Sequence, residues 1–148
     1  IKPIDEESPT LFKNSINRHI SKFVHTKVSS LNSPWLSSFE LDEQHTIAMS
    51  HGEGQFIVNE KLFKELSQHN QIAFQYVDAD NIPTYNPQSN PNGSSYAIEG
   101  IVSKDGLILG KIGHSERYQK GLFKNIHGNK TQNLFKNGVN YFKSGGTN

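Results

Sequence analysis

Leu107-Ile108-Leu109-Gly110-Lys111-Ile112-Gly113-His114-Ser115-Glu116-Arg117 is the stretch on which the fold reading turns. Its first six residues form an apolar run of buried-strand length, and a histidine and a carboxylate two positions apart follow directly. In α/β enzymes, chemistry collects beyond the ends of strands. In extended backbone, residues i and i+2 point to one side, so Glu116 can accept a hydrogen bond from one ring nitrogen of His114 while the other faces a substrate. An imidazole oriented in this way is a general base that needs a nucleophile. The usual partner is a serine or cysteine, but the chain contains no cysteine and no G-x-S-x-G elbow to present a serine.

Working outward, Ala97-Ile98-Glu99-Gly100-Ile101-Val102 and residues 107–112 flank Lys104-Asp105-Gly106, which predicts a hairpin because Asp-Gly supplies a positive φ. Residues 72–77 and 22–28 read as strands from their β-branched and aromatic content. Residues 44–50 read as a strand leading into His51-Gly52-Glu53-Gly54, where two glycines alternate with two ionisable groups in a turn or a functional loop. Asn59 caps a predicted helix to about residue 70 with Leu62, Phe63 and Leu66 inward. Thr131 caps another to Phe142, in which Gly138 suggests a close contact with the sheet. Ser8-Pro9 opens a predicted short helix carrying Leu11, Phe12, Ser15, Ile16 and Ile20. Residues 80–95 form a turn-rich loop too polar to bury, read as a site wall or a mobile surface loop. Trp35, behind Pro34, is expected to pack under a loop.

The 148 residues suit one domain with a lean core, only 33% of them being apolar. Fifteen basic residues against fourteen acidic ones leave a net +1, with no basic stripe to suggest nucleic acid. No run approaches a membrane span and no signal pattern opens the chain, so a cytoplasmic location is expected. Absent cysteines exclude disulfides and thiolate metal sites; H-E-x-x-H is not matched, so no metal site is expected. No phosphate-cradling P-loop is present either. Residues 1–7 and 144–148 read as disordered tails, and the start at Ile1 as a cut or processed terminus.

Four segments resemble one family as a set: Ser33-Pro34-Trp35-Leu36, Ser50-His51-Gly52-Glu53-Gly54-Gln55-Phe56, Asn90-Pro91-Asn92-Gly93-Ser94 and Gly113-His114-Ser115-Glu116-Arg117. Together with Tyr76-Val77-Asp78, they resemble the C-terminal part of the glutaminase domain of phosphoribosylformylglycinamidine synthases, over roughly residues 11–142. The resemblance implies an α/β class I glutamine amidotransferase fold, a flavodoxin-like sheet with flanking helices, of which this chain is the C-terminal portion. It also implies a Cys-His-Glu triad in which His114 and Glu116 are the histidine and the glutamate. The cysteine would come from the upstream portion of the same enzyme, whose synthetase region uses ATP and Mg2+; glutamine is the implied substrate. Ser115 stands where the family commonly has proline, which suggests a less rigid backbone.

His51 and Glu53 are read two ways, as lining of the glutamine pocket or as braces of the turn. Arg117 is read as a structural partner because arginine cannot serve as a base. The remaining histidines, at 19, 25, 45, 69 and 127, have no paired spacing and read as surface or packing residues. The isolated chain is expected to be inactive for want of a cysteine. The competing function is a non-catalytic amidotransferase-like module that binds a synthetase partner.

Overall fold

Val24, Thr26 and Val28 are buried and alternate with more exposed neighbours, the period-2 pattern of a strand with one face on a core. They lie on β2 (Ile20–Val28), the longest strand in a computed structural model that describes residues 8–146. The other strands are β1 (Thr10–Phe12), β3 (Gln44–His51), β4 (Gln55–Ile57), β5 (Ile72–Tyr76), β6 (Ile98–Val102) and β7 (Leu109–Lys111). Two helices, α1 (Glu60–Gln68) and α2 (Leu134–Lys143), complete the regular elements together with short 3-10 turns.

Five strands form one sheet in the order β3-β2-β5-β6-β7, and every pairing is antiparallel. The sheet curls far enough that His114, just beyond β7, bridges Ala48 on β3 at the opposite edge. There the His114 N–H donates to the Ala48 carbonyl at 2.8 Å. The fold is therefore mixed α/β, as expected, with a curled antiparallel sheet and two helices among the described residues. The parallel neighbours that a flavodoxin-like sheet implies are not among them. Parallel neighbours need helical crossovers, and α1, the helix lying between strands of this sheet, joins β3 to β5 with β2 inserted between them.

Two helices were expected at the places where α1 and α2 form. Asn59 caps α1 by accepting the Leu62 N–H at 2.8 Å, and Asn70, at φ 53, stops it. α2 starts after Asn133 rather than at Thr131. Gly138 makes its close contact with the Trp35 ring, not with the sheet: a Cβ there would overlap the indole. The helix expected over residues 9–20 does not form. Residues 10–12 instead pair with β4, Thr10 opposite Ile57, and Asn17 at φ 52 breaks any helical run before Ile20 enters β2. Of the expected tails, residues 1–7, 147 and 148 lie outside the described residues, while Ser144 caps α2.

The core has three parts. Val28, Leu36, Phe39, Phe74 and Val102 pack with Leu134 of α2; Phe56, Leu66, Ile72 and Ile98 pack on the α1 side; Ile20, Val24, Ile47, Met49 and Tyr76 fill the curl of the sheet.

Residues 80–89 of the long loop stay at the surface, but its last part corrects the expectation that it was too polar to bury, since Asn90, Asn92 and Ser94 have almost no exposed surface. Each is hydrogen-bonded, which removes most of the cost of burying an amide or hydroxyl. Asn92 Nδ2 donates to the Gly54 carbonyl at 2.6 Å and to Tyr76 Oη at 3.0 Å, and Ser94 Oγ accepts the Phe56 N–H. The asparagines thus pin the turn that follows β3.

Candidate functional site

β7 ends at Lys111, and three residues later the chain reaches His114, whose backbone is anchored to β3. A single 3-10 turn, Ser115–Arg117, then brings Glu116 back to the edge of the ring. His114 Nδ1 and Glu116 Oε1 are 2.7 Å apart, so the pairing read from the sequence is present. It is made by a turn, with His114 at φ −97 and ψ 85, and not by the extended backbone on which the spacing argument relied. A carboxylate on Nδ1 directs the imidazole and leaves Nε2 to exchange a proton.

Burial pushes the Glu116 carboxyl up, but hydrogen bonds from backbone and from His114, with the charges of His114 and Arg117, outweigh it and hold it below its ordinary value. Ser115 donates through Oγ to Gln132 Oε1 at 2.6 Å, a tie that proline could not make. The pair opens on a cleft of about 400 Å3 lined by Trp35, Lys111, His114, Glu116, Leu134 and Phe135.

Of the two pocket candidates, His51 is close enough for the His114 charge to act on it and Glu53 is not brought in. His51 ends β3, with its ring packed on Gly54 and both ring nitrogens buried without a partner. Burial lowers its proton affinity, and the charges of His114, His19 and Arg117 lower it further. Glu53 lies exposed on the bend. Arg117 is also exposed, and its effect on the site is through charge. His45, read as a surface or packing residue, is fully buried against the Phe39 ring.

Two charged residues that sequence reasoning passed over lie directly behind the site. Glu99 Oε1 is 3.0 Å from Lys111 Nζ, and their side chains are 0% and 11% exposed. Both ionisable groups interrupt apolar strand runs, a signal that was available in the sequence. Burial raises the Tyr76 phenol well above its ordinary value, and the Glu99 charge adds to the shift. Among the described residues no three His, Asp or Glu side chains form a group able to hold a metal ion, and no helix is long and apolar enough to cross a membrane.

The arrangement is an oriented base facing a cleft, on a chain with no thiol of its own. Among solved structures, the chain is similar to a chain of PurLQS from Thermotoga maritima, at 23% identity and a TM-score of 0.65. The likeness covers 91% of this chain and 53% of that one, so this chain spans about half the length of its structural relative. Residues 1–142 match the model of the CobB/CobQ-like glutamine amidotransferase domain, and the chain belongs to that family.

Proposed function

We propose that this chain supplies the histidine and the glutamate of a glutaminase triad in a phosphoribosylformylglycinamidine synthase, with the cysteine provided by the upstream portion of the same enzyme. The observation that carries the reading is the 2.7 Å contact between His114 and Glu116 at a cleft, on a family member without cysteine. The similarity to PurLQS supports a place in a larger assembly. In this reading the thiolate attacks the side-chain amide carbon of glutamine, and protonated His114 gives its proton to the departing ammonia. Water, deprotonated by His114, then hydrolyses the thioester to glutamate and restores the thiol. Glu116 holds the ring and stabilises the imidazolium. The ammonia replaces the amide oxygen of formylglycinamide ribonucleotide after ATP activates that oxygen. By the family resemblance, ATP and Mg2+ are used by the synthetase portion. A cytoplasmic location accompanies this biosynthetic role.

The test is His114→Ala in the full-length protein. Glutamine-dependent turnover should fall by about four orders of magnitude, as for loss of a triad member, while turnover on ammonium salt stays within about twofold. Glu116→Gln should follow the same pattern with a smaller loss, and the isolated 148-residue chain should release no glutamate from glutamine. Unchanged glutamine-dependent turnover in His114→Ala would overturn the assignment.

A further inference from the structure

Glu99 on β6 and Lys111 on β7 belong to the hairpin that delivers His114. Besides meeting each other, each grips Gly113, the residue before the histidine. Glu99 Oε1 accepts the Gly113 N–H at 2.5 Å, and Lys111 Nζ donates to the Gly113 carbonyl at 2.8 Å. That carbonyl belongs to the same peptide whose N–H, on His114, donates to Ala48. The peptide leading into His114 is therefore held at both ends, by Lys111 on one side and by β3 on the other. The preceding peptide is held by Glu99.

Stability is a poor explanation for this pair. Replacing a buried ion pair with apolar side chains of similar volume is often neutral or stabilising, because desolvation offsets the attraction. The cost is visible here, since Glu99 Oε2 is buried with no hydrogen-bond partner. The fit at Gly113 is also tight. A Cβ there would lie 2.7 Å from Glu99 Oε1 and would collide with Ile47 Cδ1, so glycine is what allows the carboxylate to reach the backbone. Lys111 is further fixed over the Phe74 ring, 5.4 Å from its centroid.

We infer that Glu99 and Lys111 are positioning residues for His114: by fixing the peptides on both sides of Gly113 they set the direction from which the imidazole enters the cleft. The inference rests on the reading of His114 as the triad base. A displacement of about 1 Å at a reacting group can cost on the order of a hundredfold in rate, so losing either grip should act on turnover more than on glutamine binding.

The test uses the full-length protein with Glu99→Gln, Lys111→Met and the double variant. Glutaminase kcat should fall about 10- to 100-fold in each single variant, with KM for glutamine changed less than about threefold. Because both residues hold one segment, the double variant should be within about threefold of the worse single one. Turnover on ammonium salt, a measure of the fold and the synthetase site, should be unchanged. A glutaminase kcat within about twofold of the parent in both single variants overturns the inference. A parallel loss of ammonium turnover also overturns it, by assigning the pair to stability. His114→Ala, measured alongside, separates the premise from the inference: if it keeps glutaminase activity the triad reading fails, whatever Glu99 and Lys111 do.

Discussion

His45 has no exposed surface, and its imidazole sits edge-on to Phe39 with Nε2 3.1 Å from Glu43 Oε1. Burial pushes its proton affinity below the ordinary 6.5; Glu43 opposes the shift and the Lys111 charge adds to it. His51 shifts in the same direction. A folded-state value below the unfolded one means that stability is complete above pH 6.5. As pH falls below that point, the unfolded chain takes up protons that the folded chain refuses, until the folded value is passed. The urea midpoint should therefore be flat at neutral pH and should decline below pH 6.5. His45→Gln should flatten part of that decline, and an unchanged slope in this variant would place its cause elsewhere. Residue identity was legible in the sequence where spacing carried it: His114 and Glu116 were paired correctly although the backbone between them is a turn. Glu99 and Lys111 were not, because their roles depend on a partner across the hairpin and on the backbone of Gly113.

At the scale of elements, α2 depends on a missing side chain. Gly138 faces the Trp35 ring, and Trp35 in turn donates through Nε1 to the Leu107 carbonyl at 2.9 Å and packs on Phe142. Gly138→Ala would gain about 1 kcal/mol of helix propensity. The added methyl would overlap an indole held on two sides, and overpacking of that kind costs about 1–3 kcal/mol. Net destabilisation is expected, with a shift in Trp35 fluorescence; a stabilised variant with unchanged emission would show that the ring moves freely. The hairpin of β6 and β7, the strand β5 and the capped helix α1 were legible because turn chemistry, composition and capping each act locally. β1 was misread as helix because its three residues are defined by a partner more than forty positions away. The end of the loop, residues 90–94, was misread because its burial depends on Gly54 and Tyr76, which accept from Asn92. Its exit carries Tyr96 and Ala97 at φ 52 and 57, strained for residues with a side chain, with Tyr96 stacked 3.7 Å from Phe63.

For the whole molecule, family membership and mixed α/β class follow from motifs and patterning, while the curl of the sheet does not. It is completed by one pair, Ala48 and His114, that no local period announces. Phe135, Val139 and Phe142 of α2 remain 59%, 49% and 54% exposed, and the chain spans about half of its structural relative. The bridge at His114 is expected to open before the sheet on heating. One bridge between two sheet edges opens at lower free energy than the eight-residue register joining β2 to β3. The His114 amide should exchange with deuterium faster than the amides of β2. In the proposed role, glutaminase activity of the full-length protein should accordingly be lost at a lower temperature than far-UV signal, and should return on cooling. Coincident loss of the two signals would mean that the bridge and the sheet open together. If activity is lost first, inactivation and denaturation are separate events, and a protein caught between them is a silent one that can still recover.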